Sequence, residues 1–359
     1  MLLSIQFPSF INPEIIPGLP IRWYGLMYIV AFSIAYFLYK KQVNERRFPM
    51  TEDELSSMFF WCVLGLILGA RIFSTLIYEP LETNVYIRKP WLIFWPFYNG
   101  RFTGFQGMSY HGGVIGGILG IVIWSKTKKF SVREIADMFA ASIPLGYTFG
   151  RIGNFINAEL YGRVTASPIG MIFPIPEYDY VNRFSSKLKW VRDFAEKTGV
   201  ALPSDPDSLI NLPRHPSQLY EAFFEGIFLW MIIWIFRNKK PFKGFLAGLY
   251  LFGYGLIRFI IEYFRAPDAD LGYRIQFGQN VSLQDTAHIH PLLSFSTGQI
   301  LCAVMMILAL LWWFAMTRLS DKKPVIFYQE TEPANGVQKS EHEKKAEKNA
   351  RRSARKKLK

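Results

Sequence analysis

Cysteine is nearly missing from this chain: its 359 residues hold two, Cys62 and Cys302. Both lie inside apolar stretches, so neither a disulfide framework nor a cysteine metal site is expected. The opening, MLLSIQFPSFINPEIIPGLP, lacks a basic start, carries several prolines and has no small-residue cleavage site behind an apolar core. It does not read as a cleaved signal peptide, and the apolar segment that follows is expected to stay. Charge is also scarce over long distances. Half of the residues are hydrophobic and 17% aromatic, yet the formal net charge is +13, so basic and apolar residues must be segregated along the sequence.

Uncharged or nearly uncharged stretches of bilayer-spanning length recur at 23–39, 55–78, 108–125, 135–149, 219–236, 245–264 and 300–316. They predict an all-α, polytopic membrane protein of about seven transmembrane helices. The stretch from Ile135 is the shortest and contains Asp137 and Pro144; without it, a six-span count moves the C-terminus to the other side. Basic residues in short connections set orientation. Lys40, Lys41, Arg46 and Arg47 follow the first span, Lys126, Lys128, Lys129 and Arg133 the third, and Arg237, Lys239, Lys240 and Lys243 the fifth. Those loops are expected inside, with the N-terminus outside and the C-terminus cytoplasmic.

The domain reading is a membrane domain over 1–317, with an external cap at about 163–217, and a basic cytoplasmic tail over 318–359. The tail has 13 Lys and Arg against 6 Asp and Glu, and its ending, KKAEKNARRSARKKLK, reads as disordered or a loose helix. Tethered to a bilayer, such a tail either meets membrane lipids, at roughly 1 kcal/mol per basic residue near an anionic surface, or stays solvated and helps fix topology, and the second reading is preferred. Nucleic acid is not an expected partner. Within the cap, Phe184, Leu188, Val191 and Phe194 have helical spacing over 183–195, which predicts an amphipathic helix covering the membrane surface. His288 and His290 in HIHP have no further ligand cluster beside them, so no metal is expected.

With this topology the intramembrane polar groups gather on the outer leaflet. Arg71 falls roughly 10 Å below the outer end of the second span. His111 stands within a turn of the outer end of the third, and Arg151 closes the fourth. Tyr254, Arg258, Glu262 and Arg265 follow at steps of four, four and three, on one helix face. A charge in a span costs at least about 2.5 kcal/mol at its centre, so such residues tend to face a protein cavity. The planar fork of arginine matches phosphate oxygens, making Arg71, Arg151 and Arg258 a cradle for an anionic head group. An isolated Arg258–Glu262 pair would be a plain salt bridge; several arginines beside a histidine favour the cradle. His111 sits in SYHGG, followed by Gly116, Gly117 and Gly120, and taken alone is either a packed polar residue or a base.

The stretch GRIGNFINAELYG, Gly150 to Gly162, places a cation, two amides and a carboxylate at the end of an apolar run. It resembles the signature of the phosphatidylglycerol:prolipoprotein diacylglyceryl transferases of bacterial membranes. RWYGLMY from Arg22, YHGG from Tyr110, HPSQLYE from His215 and YGLIRFIIEYFR from Tyr254 are similar to further blocks of that family, in the same order. The likeness runs from about Trp23 to Met316. The loop before His215, the loop with HIHP and the tail depart from it.

The resemblance implies an enzyme of the bacterial inner membrane. It would move the diacylglyceryl group of phosphatidylglycerol to the lipobox cysteine of prolipoprotein signal peptides, leaving a thioether and releasing glycerol phosphate. The substrate brings the nucleophile, so the enzyme supplies thiol deprotonation and stabilisation of a phosphate leaving group. Neither task calls for a metal, and no cofactor is expected. The implied functional set is His111, Tyr24, Tyr254, Arg151, Arg258 and Glu262 with Asn154, Asn157, Glu159, Gly162 and Arg71. In it His111 is the base, Arg151 and Arg258 hold phosphate, Asn154 and Asn157 orient head-group hydroxyls, and Glu159 and Glu262 fix the arginines. A transporter for an anionic solute would also place arginines in a cavity, but it predicts polar residues through both leaflets, whereas the inner halves here are almost wholly apolar.

Overall fold

The structure, a computed structural model, describes residues 4–16, 22–77, 84–98, 100–102, 107–176, 179, 182–205, 208–266, 272–278, 280–282 and 285–319. The expectations for the tail beyond Leu319 lie outside the described residues. The chain is mostly helical: α1 (Trp23–Glu45), α2 (Glu52–Leu76), α3 (Val85–Arg88), α4 (Tyr110–Thr127), α5 (Val132–Ala140), α6 (Ile143–Ile156), α7 (Lys189–Thr198), α8 (Ser217–Phe236), α9 (Phe245–Ile261) and α10 (Thr297–Leu319). Helices α2, α8 and α10 are long and apolar enough to cross a membrane, and α9 is a shorter apolar helix. Strands, which the all-α expectation leaves out, form short two-stranded ribbons. Ile5–Gln6 runs parallel to Met171–Ile172; the pairs Phe97–Tyr98 with Arg101–Phe102, Phe184–Ser185 with Leu209–Ile210, and Tyr273–Gln276 with Ser294–Ser296 are antiparallel.

The described residues form two compact units, one from Lys40–Ala136 and one from the chain before and after it. In the Lys40–Ala136 unit, α2 starts on a capping box: the Thr51 hydroxyl accepts from Glu54 N and the Glu54 carboxylate accepts from Thr51 N. Helix α4 lies against α2 through glycine. A Cβ on Gly116 would fall 2.9 Å from the Gly69 Cα, so these backbones meet only because hydrogen occupies that position. The stripe is therefore packing.

In the other unit, the expected span at 135–149 is two helices. Helix α5 ends at Ala140, the Ser142 hydroxyl returns to the Met138 carbonyl at 2.8 Å, and Pro144 sits in the first turn of α6. Proline suits a first turn, where its missing N–H has no helical partner, so the break falls there. The displaced helix then runs on through Arg151 and Asn154 to Ile156, seven residues' worth of chain further than the expected ending at Phe149.

The cap has its own core. Val164, Phe184, Val191, Ala195, Ile210 and Leu212 are buried together. Its helix α7 begins at Lys189 rather than Arg183, because Phe184 is taken up in a strand, and it ends on Gly199 at φ 73°. Val191 and Ala195 point into this core, so the buried face of the helix packs on the cap. Phe7, from the segment before α1, packs on Phe155 and Phe173 at 5.3 and 5.6 Å between ring centroids.

Candidate active site

Six charges meet where α6, α8 and α9 pack. Glu221 Oε2 lies 2.8 Å from Arg151 Nε; its Oε1 lies 3.0 Å from Arg258 and 3.4 Å from Arg265. Glu225 stands 3.6 Å from Arg258, and Glu262 binds the same guanidinium at 3.2 Å. Three arginines thus face three buried carboxylates. Glu221 and Glu225 lie four residues apart and so share one face of α8; residues Glu221–Phe228 are wound as a π-helix, a local form frequent at functional sites. Gly226 allows the contact behind them: a Cβ there would overlap the Thr148 side chain, whose hydroxyl donates to Ala222 O at 3.1 Å.

Arg151 extends the network towards a surface cavity. Its Nη1 donates to Asn154 Oδ1 at 3.3 Å, Asn154 Nδ2 donates to Glu159 Oε1 at 2.8 Å, and Asn157 Nδ2 approaches the same oxygen at 3.4 Å. Glu159 and Asn157 line a cavity of about 750 Å³ with Tyr24, Arg22, Leu26 and Ile29. Tyr24 shares a hydrogen bond of 2.9 Å with Tyr28. The chain doubles back here with Ala158 and Leu160 at φ 51° and 57°, left-handed positions that cost a non-glycine residue free energy. Gly162 follows: its N–H donates to His215 O at 2.8 Å, and a Cβ would lie 2.8 Å from the His215 Cβ. At Gly162 the backbone contact fills the space a side chain would need.

Six of the expected residues, Arg151, Asn154, Asn157, Glu159, Arg258 and Glu262, are linked directly or through Glu221 in this network, with Tyr24 beside the cavity. Tyr254 packs edge-on against Tyr147, centroids 5.9 Å apart. Glu159, expected to fix an arginine, instead holds Asn154; Glu221 and Glu225 take that role. Arg71 and His111 belong to the Lys40–Ala136 unit. The buried Arg71 guanidinium donates to the carbonyls of Ile93 and, at 3.2 Å, Gly107, which ties the chain outside α2 to that helix. His111 is the second residue of α4 and is exposed; the turn is capped by the Ser109 hydroxyl, which accepts from Gly112 N at 3.1 Å.

Behind the cluster, the cap holds two more buried arginines. Arg214 donates to Gly162 O at 3.2 Å and Asn182 O at 2.6 Å, with Tyr161 and Phe184 on its faces. Burial pulls its pKa down to about 10, against the favourable field of Tyr161. Arg163 donates to Thr286 O and stands 5.4 Å from the Tyr273 ring centre. Burial, reinforced by Arg163, pushes His215 down to about 4 and His290 likewise to about 4. The HIHP histidines are stacked: His288 on Trp190 at 3.8 Å and His290 on Tyr263 at 4.6 Å between centroids.

Known proteins resemble this chain over most of its length. A family described as Prolipoprotein diacylglyceryl transferase matches residues 13–315. A protein of Treponema denticola named phosphatidylglycerol–prolipoprotein diacylglyceryl transferase is 57% identical, over 90% of this chain and 97% of its own length. Proteins of the same name from Treponema pallidum and Chlorobaculum tepidum are 51% and 42% identical, over 90% and 84% of this chain and 98% and 88% of theirs. With the family match covering residues 13–315, a range that contains the signature and the charged cluster, this chain belongs to the prolipoprotein diacylglyceryl transferase family.

Proposed function

We propose that the protein transfers the diacylglyceryl group of phosphatidylglycerol to the lipobox cysteine of prolipoproteins. The observation that carries this is the buried cluster of Arg151, Arg258 and Arg265 on Glu221, Glu225 and Glu262, continued through Asn154 and Glu159 to the cavity beside Tyr24. Water is largely excluded there, so a guanidinium acts on a phosphate with little screening. In the reaction, the thiolate sulfur bonds to the glycerol carbon that carries the phosphate ester. The C–O bond to phosphate breaks, and glycerol phosphate departs with the electron pair. Arg151 and Arg258 hold the charge that grows on it. Their carboxylate partners keep the cluster neutral when the lipid is absent and set the angle of each fork. His111 takes the thiol proton, and Asn154 and Asn157 orient head-group hydroxyls.

The protein is a membrane protein by its apolar helices, and we assign it to the bacterial inner membrane with seven crossings, the N-terminus outside and the C-terminus cytoplasmic. The broken α5 and α6 supply the fourth crossing as a pair. No observation favours the anionic-solute transporter. The direct test incubates purified protein with phosphatidylglycerol and a lipobox peptide and weighs the peptide. Gain of one diacylglyceryl group on the cysteine is the expected result; an unchanged mass in the presence of folded protein removes this reading.

A further inference from the structure

Tyr147 lies one helical turn before Arg151, outside the signature from Gly150 to Gly162. Four contacts converge on it. Its hydroxyl accepts from Arg151 Nε at 2.6 Å and donates to Glu225 Oε2. Its ring stands 4.8 Å from the Arg151 guanidinium carbon and edge-on to Tyr254. The Arg151 Nε–H is therefore aimed at Tyr147, while Glu221 Oε2, at 2.8 Å, pairs with it by charge and not by an aligned hydrogen bond. At the other end of the guanidinium, Nη1 reaches Asn154 and Nη2 makes no hydrogen bond among the described residues.

We propose that Tyr147 is a positioning residue for the transfer, its hydroxyl holding the Nε edge of Arg151 so that the terminal nitrogens stay turned to the phosphate. The inference rests on the transferase reading. Arginine and a carboxylate prefer a two-pronged pair, and Glu221 is close enough to form one. With the hydroxyl gone, the guanidinium turns onto Glu221 and its fork is no longer available to substrate. Glu225 loses its donor in the same step. The tyrosine thus works through Arg151, keeping a strong ion pair from closing over the group that the reaction uses.

Two variants separate this from packing. Tyr147→Phe keeps the ring against Tyr254 and removes the hydroxyl. Tyr147→Gln gives up the ring and carries an acceptor and a donor on a shorter side chain, with room where the ring stood for a water to complete the reach to Arg151 and Glu225. Each is assayed as full-length protein in detergent with phosphatidylglycerol and a lipobox peptide, alongside its thermal midpoint. The expected result is a roughly 10- to 100-fold fall in kcat for the Phe variant, the range for one lost hydrogen bond to a charged group, with KM for the lipid near wild type and a thermal midpoint lowered only in part, since Arg151 and Glu225 each lose one partner. The Gln variant should turn over faster than the Phe variant. A Phe variant as active as wild type, one whose KM for the lipid rises while kcat holds, or the reverse order of the two variants at equal thermal midpoint assigns Tyr147 to packing and overturns the proposal. Wild-type protein that leaves the peptide unmodified defeats the transferase reading itself, a result the variants cannot imitate.

Discussion

Glu221 binds three arginines with two oxygens: Oε2 meets Arg151 at 2.8 Å, and Oε1 meets Arg258 at 3.0 Å and Arg265 at 3.4 Å. Its side chain is 1% exposed. Removing one member of a buried charge network leaves the others without compensation, at a cost of roughly 3–5 kcal/mol. Glu221→Ala should lower the thermal midpoint of the detergent-solubilised protein markedly and abolish transfer. Glu221→Gln, which keeps the shape, should lose activity with a smaller loss of stability. A Gln variant with wild-type turnover would show that the carboxylate charge is dispensable.

Arg151 and Arg258 differ from lysine in shape as well as pKa. Arg151→Lys keeps the charge but cannot address Tyr147, Glu221 and Asn154 at once, so most transfer activity should vanish. Replacing Arg258 and Glu262 together by neutral polar residues should not restore function, because Glu221 and Glu225 would still face an empty place. Mass analysis of the lipobox peptide decides both, and near-normal transfer by either variant contradicts the phosphate-holding role.

Much of this arrangement is legible in the amino-acid sequence. Arginines inside apolar runs are conspicuous, and Arg151 and Arg258 do stand in a cluster of charges. Glu221 and Glu225 fall outside the expected set although they lie four residues apart in an otherwise apolar span. That spacing is a usable signal, since residues four apart share a helix face, but the arginines it meets lie on other helices and no local pattern shows which face they take. The fourth span reads as one helix because hydropathy does not record where a helix breaks. Pro144 marks the place. Lys240 counts with the inner basic loop by position, yet its side chain is wholly buried on Asp137; distant pairs of this kind, 103 residues apart, are invisible to loop counting.

Acid should weaken the cap. His215 and His290 have native pKa values of about 4 against an ordinary 6.5, so the unfolded chain binds more protons than the native one between these values. Stability is then unaffected by these groups above about pH 6.5 and declines as pH falls from there towards 4. Both rings are partly solvated, which softens the effect. Thermal midpoints measured from pH 8 to 4 should show this fall, and a His215→Gln, His290→Gln double variant should have a flatter profile. A wild-type midpoint that rises on acidification contradicts the assignment.

Topology can be tested at two described positions. A reporter fused after Met316, near the end of α10, should be cytoplasmic. One inserted at 201–205, where Ala201, Leu202, Ser204 and Asp205 are exposed beyond α7, should be external without disturbing the cap core. Both reporters on the same side would mean that the number of crossings between them is even.

Asp137 supplies the last test, because it fixes the start of the helix that carries Arg258. Its carboxylate accepts from Lys240 Nζ at 2.9 Å, from Gly244 N at 2.9 Å and from Ala247 N at 3.1 Å. The two amides are among the first N–H groups of α9, which have no partner within the helix, and Lys240 neutralises the charge. Asp137→Ala takes the carboxylate from a buried ammonium and from both amides, so it should lower the thermal midpoint strongly and reduce transfer through displacement of α9. Asp137→Asn keeps an oxygen for one amide but removes the negative charge facing Lys240. Adding Lys240→Met removes that buried charge, and replacing both members of a buried pair is often close to neutral. The Asp137→Asn, Lys240→Met protein should therefore regain most of the midpoint lost in Asp137→Asn. If the single variant is as stable as wild type, the ion pair contributes nothing; if the double variant is worse than the single, Lys240 is held by partners other than Asp137.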